Sequence, residues 1–425
     1  MTVDAEAARR SMTDTTASAG TAEPQQIRRR RLTVRVVLGR LLAVVLGIVV
    51  PLLLLEASLR LLGPWVPGNY DTGAYLVRDQ ALGHFHVPNF SGWIKAKEFT
   101  THVRINPMGL RDRRTSYEKP PGTFRIVLLG DSFVEAVQVE QWQGVAERLE
   151  AQLNQGSPRP VEVINAGVAA YGTGQELLLL EHEAYKYQPD LVLVLFFVGN
   201  DVTNNNYRLE LWDNNLKLAL KPYWDLDKQG NNFRMYPGPS PNPPGGFTQT
   251  MRGCCMLYNV VETGVFNKLE QNYPREKLEA IGGLRTPLRG LYDIQPADEW
   301  ERAWRISEVL LRKIQDQSKS LNAPLVIVGA AEWRTLFPDE WAKEVGGNRL
   351  ETGRLSISAP TDQLGQIAGR LDVPYVDLLP SFQAANAAGG GPFYFDFDKH
   401  WNPQGHSVAA QTIGDALIQA GLAGR

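Results

Sequence analysis

Five short runs in the C-terminal two-thirds of the chain are largely apolar and rich in β-branched residues: Ile126–Leu129, Val161–Ile164, Leu191–Phe197, Leu325–Val328 and Val373–Leu378. Between and after them lie amphipathic segments of helix length: Val134–Leu153, Gln175–Tyr187, Glu299–Leu321, Asp362–Leu371 and Gln404–Leu422. Strands that are apolar throughout have no wet face, which is the signature of parallel strands covered on both sides by crossover helices. The alternation therefore predicts an α/β domain over 124–425. Its expected order is β-α-β-α-β, a long interruption, then α-β-α-β-α.

The N-terminal pattern is different. Residues 1–33 begin with an Ala, Thr, Ser, Glu and Gln-rich stretch and end on Arg28-Arg29-Arg30-Arg31, a composition that predicts a disordered basic tail. From Leu41 to Leu55 no side chain is polar, and apolar character extends over 34–62 with only Arg35, Arg40, Glu56 and Arg60 interrupting it. At ~1.5 Å per residue this stretch can cross a ~30 Å hydrocarbon layer. Pro51 is compatible with a membrane helix. A cleaved signal would have an unusually long charged leader and no evident small-x-small cleavage site, so an uncleaved single span is expected. The arginine cluster puts the N-terminus in the cytoplasm and 64–425 outside, as in a single-pass inner-membrane protein. Glu56 and Arg60 are spaced as an i, i+4 pair.

Residues 64–123 read as a leader with short strands, Glu98 to Ile105 among them, and turn signals at Asn106-Pro107 and Pro120-Pro121-Gly122. The interruption at about 202–298 holds the Pro- and Gly-rich run 237–246 and a predicted helix over Met256–Leu269. A structureless insertion of that length inside a compact domain is uncommon, so it is expected to form a cap or lid. Its aromatic residues Tyr207, Trp212, Tyr223, Trp224, Phe233 and Tyr236 fit either the core of such a cap or a sugar-stacking surface.

Charge narrows the function classes. Eight of the 44 Lys and Arg lie in 1–40, against four of the 46 Asp and Glu, leaving 36 basic and 42 acidic residues in the remainder. A mildly acidic folded part without a basic stripe argues against nucleic acid as a partner. Cys254 and Cys255 are adjacent and form neither a disulfide framework nor a metal-binding pattern. The histidines at 84, 86, 102 and 182 lack ligand-type spacing, so no metal or cofactor is expected. His406, six residues after His400, is expected to pack in the last helix.

In a doubly wound sheet, chemistry collects beyond the carboxyl ends of the strands. Gly130-Asp131-Ser132-Phe133 follows the first run, Asn165-Ala166-Gly167 the second, Gly199-Asn200-Asp201 the third, and Asp398-Lys399-His400-Trp401-Asn402 the last. These are the residue types that acyl transfer requires. A serine hydroxyl needs a histidine to take its proton, and the histidine needs a carboxylate to fix its tautomer. The oxyanion needs fixed donors, which the backbone near Ser132 and Gly167 and the Asn200 amide can supply. Asp131 and Asp201 are expected to brace their turns.

These four blocks, in this order, resemble the SGNH (GDSL-type) hydrolase family over roughly 124–410. The upstream Ile105-Asn106-Pro107-Met108-Gly109-Leu110-Arg111-Asp112 is similar to the leader of its membrane-anchored bacterial members. The resemblance implies a flavodoxin-like three-layer α/β/α sandwich. It also implies Ser132 as nucleophile and oxyanion donor, Gly167 and Asn200 as further oxyanion donors, His400 as base and Asp398 as orienting acid. Val198 stands where the family usually has glycine, and the last block is Asp-x-His instead of Asp-x-x-His. Asp396 is therefore an alternative acid, with Asp398 preferred. The expected function is an extracytoplasmic esterase or deacylase of an acylated cell-envelope glycan or lipid. O-acyl transfer to a polysaccharide in the same site is the alternative, and a non-catalytic glycan-binding or assembly protein is a further one.

Overall fold

The structure, a computed structural model, describes residues 34–62, 75–79, 81–114, 116–155, 157–212, 221–227, 233–236, 257, 290–296, 298–347 and 352–423. Helix α1 (Val34–Leu62) forms by itself the longest apolar element, with Pro51 inside it. Among the described residues it alone has the length and composition to cross a membrane.

The main body is a five-stranded sheet of β5 (Phe124–Gly130), β6 (Val161–Gly167), β7 (Leu191–Phe197), β10 (Leu325–Ala330) and β11 (Tyr375–Asp377). The spatial order is β6-β5-β7-β10-β11, and every neighbouring pair is parallel. Renumbered along the sheet this is 2-1-3-4-5, the flavodoxin-like winding, whose direction reverses between β5 and β7. The α/β/α sandwich expected from the sequence is therefore present. Successive side chains of a strand point to opposite faces, and β5 shows what that demands. Val127 and Leu129 join the core under α4 (Thr173–His182), α7 (Asp298–Ser320) and α9 (Ala359–Leu371). Ile126 and Leu128 join the opposite core, under α3 (Val145–Leu153), α10 (Leu379–Ala387) and α11 (Pro403–Gln419). With both faces dry, only uniformly apolar strands fit.

Two helices, α8 (Pro338–Gly347) and α10, were not anticipated, although each carries proline in its first turn, where a missing N–H costs nothing. The single helix expected over Val134–Leu153 is two. α2 (Ser132–Glu135) ends after one turn because Ala136 takes left-handed backbone at φ 60°, and α3 begins only at Val145. The apolar residues that imitated a helical stripe are buried by other means. Val137 packs with Tyr75, Ile94, Val103 and Ile105 of the leader.

The leader is two antiparallel hairpins. β1 (Leu76–Asp79) pairs with β2 (Gly83–His86), and β3 (Ser91–Lys95) with β4 (Thr100–Arg104). Much of 202–298, including the Pro- and Gly-rich run, the 256–269 segment apart from Leu257, and both cysteines, lies outside the described residues. The described parts are short helices α5 (Asp201–Asn204) and α6 (Tyr207–Trp212) and the hairpin β8 (Tyr223–Leu226)–β9 (Phe233–Tyr236). Val202, Leu209, Trp224 and Leu226 belong to the same apolar cluster as the sheet. Trp224 is thus a core residue.

Gly167 ends β6 against the backbone of α2. A methyl group at its Cα would lie 2.2 Å from Glu135 N and 2.6 Å from the Val134 carbonyl carbon. Neither atom belongs to a side chain that can swing away. Gly167→Ala should therefore lower unfolding free energy by about 1–3 kcal/mol, measured by urea titration. Gly353→Ala, where the added methyl meets nothing within 4 Å, should leave it nearly unchanged.

Candidate active site

The site forms where β5 and β7 end, at the reversal of the winding. β5 delivers Gly130-Asp131-Ser132 into the one-turn helix α2. Asp131 is its N-cap: its Oδ1 accepts the Phe133 N–H at 2.9 Å. The other carboxylate oxygen accepts from Asn200 Nδ2 at 2.8 Å, tying the β7 loop to the β5 turn. Burial pushes the Asp131 carboxyl up, against the Phe133 N–H, the Asn200 amide and the His400 charge. Asp201 braces its own loop, with Oδ2 accepting the Phe197 N–H at 2.7 Å. Both aspartates hold turns, as their positions suggested.

Ser132 Oγ lies 2.7 Å from His400 Nε2, and His400 Nδ1 lies 2.6 Å from Asp398 Oδ1. A carboxylate only accepts, so the ring proton sits on Nδ1, and Nε2 is the lone pair facing the serine. Burial would lower the His400 pKa, but the hydrogen bond and charge of Asp398, with Asp131 beyond, outweigh it and raise the value above 6.5. Phe133 supports the imidazole from one side at 4.8 Å between ring centres, and itself packs on Phe197 and Trp401.

The Asp-x-His spacing has a structural explanation. Residues 395–399 make one helical turn closed by Lys399 N–H to Phe395 O at 3.2 Å, and Lys399 then takes left-handed backbone at φ 67°. That reversal lets side chains only two apart meet. Asp396, exposed on the turn, contributes its backbone N–H to Glu98 Oε1 at 2.6 Å, and no bond to His400 is seen.

The three residues expected to supply oxyanion donors, Ser132, Asn200 and Gly167, are not alike in their hydrogen bonds. Ser132 N–H, at the first position of α2, makes no hydrogen bond among the described residues, and the Asn200 amide keeps a second hydrogen beyond the one given to Asp131. Gly167 does not match this pattern. Its N–H is given to Asn165 Oδ1 at 3.1 Å, and its open Cα face meets α2, not solvent. Asn165 also donates to Val134 O at 2.9 Å, so it knits β6 to α2. Three residues further on, Ala170 has left-handed backbone at φ 60°, and the N–H groups of Ala169 and Ala170 make no hydrogen bond among the described residues.

Sequence reasoning missed the leader's part altogether. Arg111, fully buried, donates to the carbonyls of Glu135, Ala136 and Val139 at 2.7–2.8 Å. His86 bridges Gly109 O and Glu135 Oε1. Asp112 Oδ2 accepts the Asn165 N–H at 2.9 Å. His406 packs edge-on against Trp401, and burial, with Arg111 and Arg148 nearby, lowers its pKa to about 3. Among the described residues no group of three or more His, Cys, Asp or Glu is arranged to hold a metal ion.

No protein-family model matches the chain, and no curated protein matches it. Solved structures do. A two-domain esterase active on acetylated mannans is 11% identical with a TM-score of 0.37, over 71% of this chain and 51% of that one, so the chain spans about half its length. LAE5, an alpha/beta hydrolase enzyme from the metagenome of Lake Arreo, is 12% identical at 0.36, over 72% of this chain and 98% of that one. Axe2, an acetylxylan esterase from Geobacillus stearothermophilus, is 12% identical at 0.36, over 69% and 94%.

His400 can take a proton only when neutral. The rate at which a fluorophosphonate labels Ser132 should therefore fall as pH drops through a value above 6.5. Asp398→Asn should slow labelling by roughly 10³–10⁴-fold. Because the raising contribution of Asp398 is then gone, it should also move the acid limb to lower pH. Asp396→Asn should leave most of the rate and the limb in place. The reverse result would reassign the acid. Thermal melting of each variant separates kinetic loss from misfolding.

Proposed function

We infer that the protein is a serine esterase or deacylase of the SGNH type, acting through an acyl-enzyme on Ser132. The observation that carries this reading is the unbroken relay Ser132 Oγ–His400 Nε2, His400 Nδ1–Asp398 Oδ1, at 2.7 and 2.6 Å. Ser132 Oγ attacks the ester carbonyl carbon while its proton passes to Nε2. Negative charge then gathers on the former carbonyl oxygen, where the free Ser132 N–H and the second Asn200 amide hydrogen are the donors; Ala169 and Ala170 are candidates for a third in place of Gly167. Fixed donors of this kind contribute about 2.7–4 kcal/mol each in the transition state. The proton on Nε2 goes to the departing alkoxide, the C–O bond breaks, and the acyl group stays on Ser132. Water, losing a proton to the same nitrogen, then attacks the acyl carbon; the acyl–Oγ bond breaks, Ser132 Oγ takes that proton back from Nε2, and the acid leaves. Asp398 stays ionised throughout and stabilises the imidazolium.

The domain reading is a cytoplasmic tail over 1–33, a membrane span over 34–62, a leader over 64–123 and a hydrolase domain over 124–425 with a lid at about 202–298. Its support is the apolar composition of α1 and the arginine cluster ahead of it. A catalytic domain tethered outside the membrane meets acylated envelope glycans and lipids, and these are the proposed substrates.

The full-length protein in detergent micelles should hydrolyse a short-chain aryl ester and be labelled by a fluorophosphonate at Ser132. Ser132→Ala should lose both while keeping its melting temperature. An intact, cooperatively melting wild-type protein that shows neither labelling nor hydrolysis would sink the reading. Release of acid from a panel of acetylated glycans and acyl lipids then ranks the substrates.

A further inference from the structure

The turn that carries Asp398 cannot satisfy its own backbone. A single helical turn leaves its leading N–H groups without intrahelical partners. Here those are the N–H groups of Asp396, Phe397 and Asp398, and all three donate to one side chain, Glu98. The distances are 2.6 Å to Oε1, then 2.8 and 2.9 Å to Oε2. Glu98 lies almost 300 residues earlier, between the two strands of the β3–β4 hairpin. A carboxylate accepting three N–H bonds at the start of a helical turn combines charge-assisted hydrogen bonds with the favourable end of the peptide dipoles.

The neighbours of Glu98 grip the same turn. Lys97 Nζ lies 2.9 Å from the centre of the Phe397 ring, and the Phe99 and Phe395 rings are 5.4 Å apart. Three consecutive hairpin residues therefore engage 395–398, with the carboxylate in the middle. Phe397 is two-thirds exposed, so an apolar core does not fix the turn at that point. Lys399 over the Trp333 ring at 3.7 Å and the Phe395 N–H to His400 O bond at 2.9 Å hold the ends of the turn, and the side chains of 97–99 hold its middle.

We propose that Glu98 is a positioning residue for the catalytic acid: it fixes the 396–398 turn so that Asp398 meets His400 Nδ1, and thereby makes the leader part of the active site. The proposal rests on the hydrolase reading for its kinetic consequences, but its geometric content is separate from that reading. Glu98→Gln keeps the shape, loses the charge and turns an amide NH₂ toward backbone donors, so the turn loosens. Misplacing a catalytic group by an ångström or so costs on the order of tenfold to a hundredfold in rate.

The test uses the full-length protein in detergent with a short-chain aryl ester. Glu98→Gln should lower kcat by roughly tenfold to a hundredfold with KM little changed. Its acid limb should move to lower pH, because Asp398 no longer holds up the His400 pKa; the charged groups acting on His400 are Asp398 on its own turn and Asp131 at the cap of α2. Glu98→Asp, one methylene shorter with the charge kept, should fall between the two. Wild-type kcat and limb position in Glu98→Gln would overturn the proposal. So would a loss of activity that tracks a lower melting temperature while the limb stays put, because that is what a purely structural contact predicts.

A readout independent of turnover keeps the two readings apart. In ¹⁵N-histidine-labelled protein, the proton shared by His400 Nδ1 and Asp398 should give a far-downfield resonance that Glu98→Gln weakens or shifts upfield. If the wild-type protein neither turns over nor labels, the hydrolase reading fails and this resonance alone judges Glu98. An unchanged resonance in the variant would overturn its positioning role.

Discussion

A helix of one turn is an unstable object, and the Ser132 end of this molecule is organised around keeping one in place. Four residues form only two of the repeating bonds that sustain a longer helix, Glu135 N–H to Asp131 O and Ala136 N–H to Ser132 O, and both ends of α2 expose backbone groups inside a dry core. Asp131 takes the N-terminal side. At the other side three carbonyls converge on Arg111, which is fully buried. Each such charged hydrogen bond is worth about 1.5–3 kcal/mol, and an unpaired buried carbonyl would cost a similar amount. The abrupt left-handed step at Ala136 is tolerable only because a side chain from elsewhere receives the chain there. Ser132 is thus held from both ends of its helix, one of them by the leader.

The same solution recurs at the turn that carries Asp398. Residues 395–399 make another isolated helical turn, again too short to satisfy itself, and again a leader side chain completes it. The two turns face each other across the Ser132–His400 hydrogen bond, and both lean on residues 86–112. Rigid strands carry the chain to the site. The leader makes good the backbone bonds that the strands' sharp exits leave open.

This division explains what could be read from the sequence. The sheet was legible because a strand dry on both faces leaves one signature, and β7 was found to the residue. Ser132 and Asn200 could be singled out because they follow their strands directly, and serine, aspartate and histidine in that chain order suggest one chemistry. The break after α2 was not legible: Val134 and Val137 are three apart, as on one helical face, while serving two different cores. At Gly167, a glycine at a strand end signals close approach without naming what approaches. Here it is the backbone of α2. Glu98 carried no signal of its role, and Arg111 only its place in the 105–112 motif, since their partners lie 24 to 300 residues away and become neighbours only once the fold exists.

The separation of 268 residues between Ser132 and His400 has a consequence in time. A chain made from its N-terminus presents the leader, the serine and all five sheet strands before residue 400 exists. Residues 395–400 then bring His400, Asp398 and the turn that Glu98 waits to receive. Until they arrive Ser132 has no imidazole beside it. The order of synthesis thus places the Ser132–His400 contact after every strand of the sheet.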